Sequence, residues 1–94
     1  MVYRVFIILK LIGVLSFFTG VDSLKIEVDE EWTIADLLRS LCDKYEGDFK
    51  EIVCSNRGEV LILINDMEVG VLDGQRSKLN EGDVVVLLPV SHGG

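Results

Sequence analysis

The residues most suggestive of chemistry are the last two, Gly93 and Gly94, because the terminal carboxylate that they carry can be activated. Two terminal glycines occur by chance in about one chain in 200 at a glycine frequency of about 7% per position. Glycine has no Cβ, so the backbone can enter a narrow channel and bring its carboxylate beside the α-phosphate of ATP. A carboxylate is a poor acyl donor, but its adenylate has a good leaving group that a persulfide, a cysteine or an amine can displace. The ending therefore predicts activation at Gly94 by another protein, and a frayed terminus is the alternative.

No set of residues predicts catalysis by the chain itself. His92 is the sole histidine, and although imidazole titrates near neutral pH, a terminal segment gives it no partner to orient the ring. We interpret His92 as a recognition residue, and inheritance without a role is the alternative. The chain contains no Ser/His/Asp set, no phosphate-binding loop and no paired acid site. We therefore predict that it is not an enzyme, has no catalytic residue and binds neither a metal nor a cofactor.

Cys42 and Cys54 lie twelve residues apart, without a C-x-x-C pair or the histidines needed to complete a zinc site. We interpret both as free thiols that pack as small hydrophobic side chains in a reducing cytoplasm. A disulfide between them would require an oxidising compartment. The apolar segments Val5 to Leu9 and Leu11 to Phe18 resemble a signal peptide, but Lys10 divides them and neither reaches the roughly 20 residues of a membrane span. The predicted location is the cytoplasm, without membrane association, and secretion is the alternative.

The composition is that of one globular domain. The chain has 94 residues, of which 49% are hydrophobic and 27% charged, enough for a single hydrophobic core. Sixteen acidic against nine basic residues give a net charge of −7, and a surface of that sign repels phosphate backbones. Direct binding of nucleic acid is therefore not expected. An acidic surface suits docking onto a basic protein partner, although solubility alone would also account for it.

Apolar runs of strand length predict a sheet. In chain order they are Val2 to Lys10, Ser23 to Val28, Val60 to Ile64 and Val84 to Leu88, with a short edge piece at Val69 to Leu72. The pair Asn65-Asp66 is typical of a turn. The apolar stretch between Gly13 and Gly20 prolongs the first strand or forms a loop, and the sequence does not decide between the two.

One helix is clearly indicated. Thr33 followed three residues later by Asp36 resembles a capping box, and Asp36 complements the positive end of the helix dipole. The apolar residues that follow recur at helical spacing: Ile34, Leu37, Leu38, Leu41 and Tyr45. Gly47 fits the end of the helix.

This order of strands around one helix predicts an α+β fold of the β-grasp (ubiquitin-like) type, a mixed sheet of four to five strands with one main helix packed across one face. The first and last strands are the most continuously apolar and should form its central pair. We predict a β-grasp domain at residues 1–89 and a flexible C-terminal tail at 90–94, since Pro89 cannot donate a hydrogen bond to a ladder and Gly93 and Gly94 have no side chains to anchor them.

Several segments resemble the ubiquitin-related modifier family of sulfur carriers. They are Val60 to Asp66, Leu79-x-x-Gly82-Asp83-Val84, the ending His92-Gly93-Gly94 and the helix start Trp32 to Leu38. The segment Val85 to Ser91 is more similar to the small subunit of molybdopterin synthase and to the archaeal ubiquitin-like modifiers. The resemblance covers Glu31 to Gly94, about two thirds of the chain, and the N-terminal third matches only in pattern.

The resemblance implies a carrier that an ATP-dependent, ubiquitin-activating-type (adenylating) enzyme activates at Gly94. A rhodanese-like sulfurtransferase or a desulfurase would supply the sulfur, and a tRNA thiolation enzyme would receive it. By position, Leu88 matches an exposed contact of the molybdopterin synthase subunit, and Leu63 and Val86 match the hydrophobic patch of ubiquitin. His92 stands where ubiquitin has an arginine, which favours an activating enzyme of the sulfur-carrier families. The residues assigned to recognition by the activating enzyme are Leu63, Val86, Leu88, Pro89, Val90 and His92.

Other functions remain open from the sequence. The chain could serve as a covalent modifier joined to lysines of target proteins, or as a carrier of the molybdopterin synthase type. It could also be a β-grasp module that binds a partner non-covalently through its acidic body, without using Gly93 and Gly94. Leu63 and Val86 also fit a buried role, because such side chains in sheets are more often core than contact residues.

Overall fold

Five strands and three α-helices make up most of residues 3–54 and 59–90, the part of the chain that the computed structural model describes. The strands are β1 (Arg4–Leu11), β2 (Ser23–Asp29), β3 (Glu59–Ile64), β4 (Met67–Glu68) and β5 (Val84–Val90). The helices are α1 (Val14–Thr19), α2 (Ile34–Lys44) and α3 (Asp48–Cys54), and two short 3₁₀ helices span Val69–Val71 and Gly74–Arg76.

The strands form one mixed sheet in the order β2-β1-β5-β3-β4. The β1 and β5 strands run parallel to each other, whereas the β1–β2, β3–β5 and β3–β4 pairs are antiparallel. The first and last strands are therefore central neighbours, as predicted from their apolar sequences. The predicted α+β class and β-grasp arrangement are confirmed.

The hydrophobic core lies between one face of the sheet and the helices. Side chains of a strand alternate between its two faces, and in β1 Ile7 and Leu9 are completely buried while Phe6, between Val5 and Ile7, is 40% exposed. The inward residues of β1, β3 and β5 form one cluster with side chains from all three helices. Its largest fully buried members include Leu15 of α1, Leu37 of α2 and Phe49 of α3.

The predicted capping box starts α2. The Thr33 backbone N–H donates to Asp36 Oδ2 at 2.9 Å, and the Asp36 backbone N–H donates to Thr33 Oγ1 at 3.5 Å. The hydrogen bond from the Thr33 backbone stabilises the carboxylate and lowers the pKa of Asp36, with smaller lowering contributions from the Thr33 hydroxyl and Arg39. The helix buries the apolar stripe read from the sequence and ends before Gly47, which has a φ of 85°.

The stretch between Gly13 and Gly20 is neither strand nor loop but the six-residue helix α1. Gly20 adopts the left-handed conformation at its C-terminal end, with a φ of 80°, and its backbone N–H donates to Ser16 O. The helix inserts Leu15 into the core, while Phe17 is 81% exposed. Within residues 3–54 and 59–90, no helix is both long and apolar enough to cross a membrane.

The interpretation of Cys42 and Cys54 as free thiols is wrong: the structure joins them in a disulfide. Cys42 is buried on α2, and after the reversal at Gly47 the unpredicted helix α3 packs back against α2. This packing brings the two Cα atoms to 6.7 Å, within the usual range for a disulfide. The correction concerns tertiary packing, which the spacing of two cysteines does not reveal.

The predicted edge piece at Val69 to Leu72 is also wrong in position. The edge strand is the two-residue β4, Met67–Glu68, and Val69–Val71 form a 3₁₀ helix in which Val69 is buried. The predicted turn at Asn65 and Asp66 is confirmed, and both residues have positive φ, at 51° and 71°. Two consecutive residues of this conformation make a tight hairpin turn, and the edge strand is short because the 3₁₀ helix begins at Val69.

Candidate functional site

The segment that leads to the candidate reactive terminus is β5, which lies between β1 and β3. Its inward residues Val85 and Leu87 are completely buried. Burying such a side chain contributes about 1.5–3 kcal/mol, so β5 is firmly held at its middle. The strand therefore presents whatever follows Val90 from a fixed position at one end of the sheet.

The face of the sheet opposite the helices carries an apolar surface that we call the outer patch. Register pairs Val86 with Leu63 and Leu88 with Leu61 across the β3–β5 ladder, and pairs Val84 with Ile8 across the β1–β5 ladder. Leu61 is 39% exposed, and Leu63, Val86 and Leu88 are half-buried. The outer patch consists of Phe6, Ile8, Leu61, Leu63, Val84, Val86, Leu88 and Val90. A contiguous exposed apolar surface of this kind indicates a protein-binding site.

The structure brings together four of the predicted recognition residues and separates one. Leu63, Val86, Leu88 and Val90 lie on the outer patch, so Leu63 and Val86 are not core residues. Pro89 pairs with Val60, and the Val60 side chain packs against the core. Pro89 therefore lies on the face of the sheet that the helices cover. The predicted residues His92, Gly93 and Gly94 lie outside the described residues, and their roles stay predictions.

The predicted start of the tail at residue 90 is one residue too early, because Val90 belongs to β5 and pairs with Glu59, as Pro89 pairs with Val60. The β1–β5 ladder ends at Leu87, so the last residues of β5 pair in register only with β3. Proline lacks a donor but is tolerated where one side of a strand has no ladder. Any projection beyond the sheet therefore begins after Val90.

A buried carboxylate holds the start of β5. Asp83 is 8% exposed and accepts hydrogen bonds from Asn65 Nδ2 at 2.9 Å and from the Asn80 backbone N–H at 2.8 Å. Asn65 Oδ1 in turn accepts the Val84 backbone N–H at 2.9 Å. These bonds tie the β3–β4 turn to the entrance of β5. The Asn65-Asp66 and Gly82-Asp83 pairs of the sequence thus position the strand that carries the site.

Sequence reasoning missed Phe6, Ile8, Leu61, Val84 and Lys10 as neighbours of the site. Leu61 lies two residues before Leu63 and shares its face, so strand alternation was an available signal. Phe6, Ile8 and Lys10 required knowledge of the β1–β5 register, which places Lys10 beside Val86. In the described ranges 3–54 and 59–90, no cluster of three or more His, Cys, Asp or Glu side chains could hold a metal ion.

Comparisons with known proteins agree with this arrangement. The chain is 35% identical over 77 residues to small archaeal modifier protein 3 of Haloferax volcanii, covering 80% of this chain and 84% of that protein. It is 33% identical over 66 residues to ubiquitin-related modifier 1 of Encephalitozoon cuniculi, covering 66% of this chain and 68% of that protein.

Its fold is shared with a solved archaeal structure. The solution structure of small archaeal modifier protein 1 from Methanosarcina acetivorans superposes with a TM-score of 0.73 at 30% identity, covering 98% of this chain and 99% of that one. The family model described as the ThiS family matches residues 9–94, which include β1 from Leu9 onward, the whole outer patch beyond Ile8 and the final Gly93-Gly94. Members of this family are small ubiquitin-like carriers or modifiers and not enzymes. The chain belongs to the ThiS family of ubiquitin-like sulfur carriers and modifiers.

Proposed function

We propose that this chain is a sulfur carrier whose Gly94 carboxylate is adenylated by a ubiquitin-activating-type enzyme, converted to a thiocarboxylate and used for tRNA thiolation. The observation that carries the proposal is the family match, which runs through residue 94 and so includes the diglycine ending. ATP belongs to the activating enzyme, and the chain contributes the carboxylate.

The geometry of β5 supports this use of the ending. Four residues, 91–94, follow β5, and if extended they would span at most about 14 Å. That length is sufficient to enter an active site while the sheet stays outside it. The outer patch lies directly beside the end of β5, so we assign Leu63, Val86, Leu88 and Val90 to docking of the activating enzyme.

The proposed chemistry has three balanced steps. The Gly94 carboxylate attacks the α-phosphate of ATP, and pyrophosphate leaves to give the acyl adenylate. The terminal sulfur of a donor persulfide then attacks the carbonyl carbon, and AMP leaves to give an acyl disulfide. A second donor thiol attacks the donor's own sulfur in that disulfide. The Gly94 thiocarboxylate departs and the donor is left oxidised as a disulfide.

Mass spectrometry tests this proposal directly. We expect incubation with ATP, the activating enzyme and a persulfide donor to add about 16 Da to the C-terminal peptide, the replacement of one oxygen by sulfur. A variant lacking Gly94 is the control and should gain nothing. If the wild-type chain is never adenylated, the carrier function is wrong. If deleting Gly93 and Gly94 leaves the cellular function intact, a non-covalent interaction module is the better description.

A second function, covalent modification of proteins, is favoured by a separate observation: both curated relatives are named as modifiers. The same adenylate could pass to a cysteine and then to a lysine amine, forming an isopeptide bond at Gly94. Tryptic peptides from target proteins would then carry the segment Leu79 to Gly94 on lysine, because Lys78 is the last trypsin site before the terminus. Failure to find such remnants while thiocarboxylate accumulates would restrict the chain to sulfur transfer. A carrier of the molybdopterin synthase type would differ in its acceptor: sulfur would reach molybdopterin instead of tRNA.

A further inference from the structure

The described outward side chains of the sheet carry three bases and three acids, whereas the chain as a whole has a net charge of −7. The described outward side chains of β1 and β2 include three bases, Arg4, Lys10 and Lys25, and two acids, Glu27 and Asp29. Arg4 contacts both acids, with Nη1 3.4 Å from Glu27 Oε1 and Nε 3.8 Å from Asp29 Oδ1. The charges of these three side chains therefore largely offset one another at one corner of the face. Lys10 and Lys25 are the other two bases of this face.

Both lysines border the outer patch. Lys10 is the register neighbour of Val86, which is itself paired with Leu63, so the three residues form one row across β1, β5 and β3. Lys25 is paired with Ile8, and its ammonium lies 4.5 Å from the centre of the Phe6 ring. The described outward side chains of β5 and β3 are all apolar. On the far side of the patch, the register partner of Leu63 is Glu68 of β4, which accepts the Gly70 backbone N–H. The face therefore has an apolar centre with cations along its β1–β2 side.

The remainder of the molecule is acidic. The chain carries a net charge of −7, and the exposed acids on the other face include Asp43 of α2, Glu46 between α2 and α3, and Asp48 of α3. A partner with an acidic rim would be repelled by the helical side and attracted to the part of the outward face where Lys10 and Lys25 lie. Charge patterns of this kind select the orientation of docking and raise association rates.

We propose that the outer patch docks an apolar surface of the activating enzyme that is rimmed by carboxylates, and that Lys10 and Lys25 face those carboxylates. The inference rests on the proposed function, because it names the chemistry of that enzyme's docking surface. It also reverses the expectation drawn from composition, namely that the acidic body docks onto a basic partner. Docking depends on the charges beside the outer patch and not on the net charge of the chain.

Charge reversal tests the proposal, with pyrophosphate release by the adenylating enzyme of the same organism as the readout. The informative variant is Lys10→Glu, and Lys50→Glu is its matched control, since Lys50 is exposed on α3 and the net charge changes equally. We expect Lys10→Glu to raise the KM for this chain about ten-fold while kcat changes less than about two-fold, and Lys50→Glu to leave KM within about two-fold. The KM of Lys10→Gln should lie between that of the wild type and that of Lys10→Glu.

Salt provides a second measurement on the same proteins. Attraction between unlike charges is screened by ions, so kcat/KM of the wild-type chain should fall as salt rises, and this dependence should be weaker in Lys10→Glu. Circular dichroism melts of each variant verify folding, and Lys10→Gln keeps the test valid if Lys10→Glu unfolds.

Equal KM values for Lys10→Glu and Lys50→Glu, or a wild-type rate that rises with salt, would overturn the charge assignment and leave the carrier function standing. A wild-type chain that is not adenylated at any salt concentration would overturn the proposed function and, with it, this assignment.

Discussion

Reduction of the Cys42–Cys54 disulfide should lower the free energy of unfolding by about 3 kcal/mol. The two cysteines are separated by 12 positions, and in the chain-entropy account a closed loop of about 13 residues restricts the unfolded chain by roughly that amount. Phe49 is buried in the core, so we expect α3 to stay folded after reduction. For a domain of this size the change corresponds to a fall in Tm of roughly 12–24 °C.

Urea unfolding of the purified protein, followed by circular dichroism with and without a non-thiol reductant, measures this difference. The double variant Cys42→Ala/Cys54→Ala is the control, because its stability should not respond to the reductant. A reductant effect below about 1 kcal/mol in the wild type would refute the loop-entropy reasoning. Two reactive thiols in protein purified and oxidised in air would show that the cross-link does not form.

Two further predictions concern stability. Thr33→Ala should cost about 1 kcal/mol in urea unfolding, because it removes the side chain that caps α2; a loss near zero would contradict the capping role. The lowered pKa of Asp36 means that its contribution to stability is present above the unfolded-state value of 3.8 and is lost as pH falls through the lower folded-state pKa. Asp36→Asn should therefore flatten the fall in Tm below about pH 4, and an unchanged acid profile would contradict this. Leu87→Ala, at a completely buried position, should lower the free energy of unfolding by about 2–5 kcal/mol, against less than about 1 kcal/mol for Leu61→Ala on the outer patch; equal losses would contradict the assignment of faces.

Sequence reasoning succeeded where the signal is local or follows strand alternation. The capping box needs only Thr33 and Asp36, three residues apart, and both of its hydrogen bonds are present. The long apolar runs of β1 and β5 were sufficient to predict the central pair. At the candidate site, alternation along β5 accounts for the shared face of Val86, Leu88 and Val90, and would also have separated Pro89 from them.

The rest depends on tertiary contacts or on segments too short for periodicity. Helices α1 and α3 have six and seven residues, fewer than the window in which helical spacing can be distinguished from a strand. The disulfide follows from the packing of α3 on α2, which was not predicted because α3 itself was missed. The role proposed for Lys10 depends on the register between β1 and β5, which lie at opposite ends of the chain. The sequence alone does not predict that register.

The parallel pairing of β1 with β5 has a mechanical consequence. A force that pulls the start of β1 and the end of β5 apart slides the two strands along each other, so it strains their shared hydrogen bonds together and not one after another. Resistance to such pulling is governed by the rate of forced unfolding, not by equilibrium stability alone. An enzyme that pulls on the Gly94 end should therefore move the whole domain before it can unfold it.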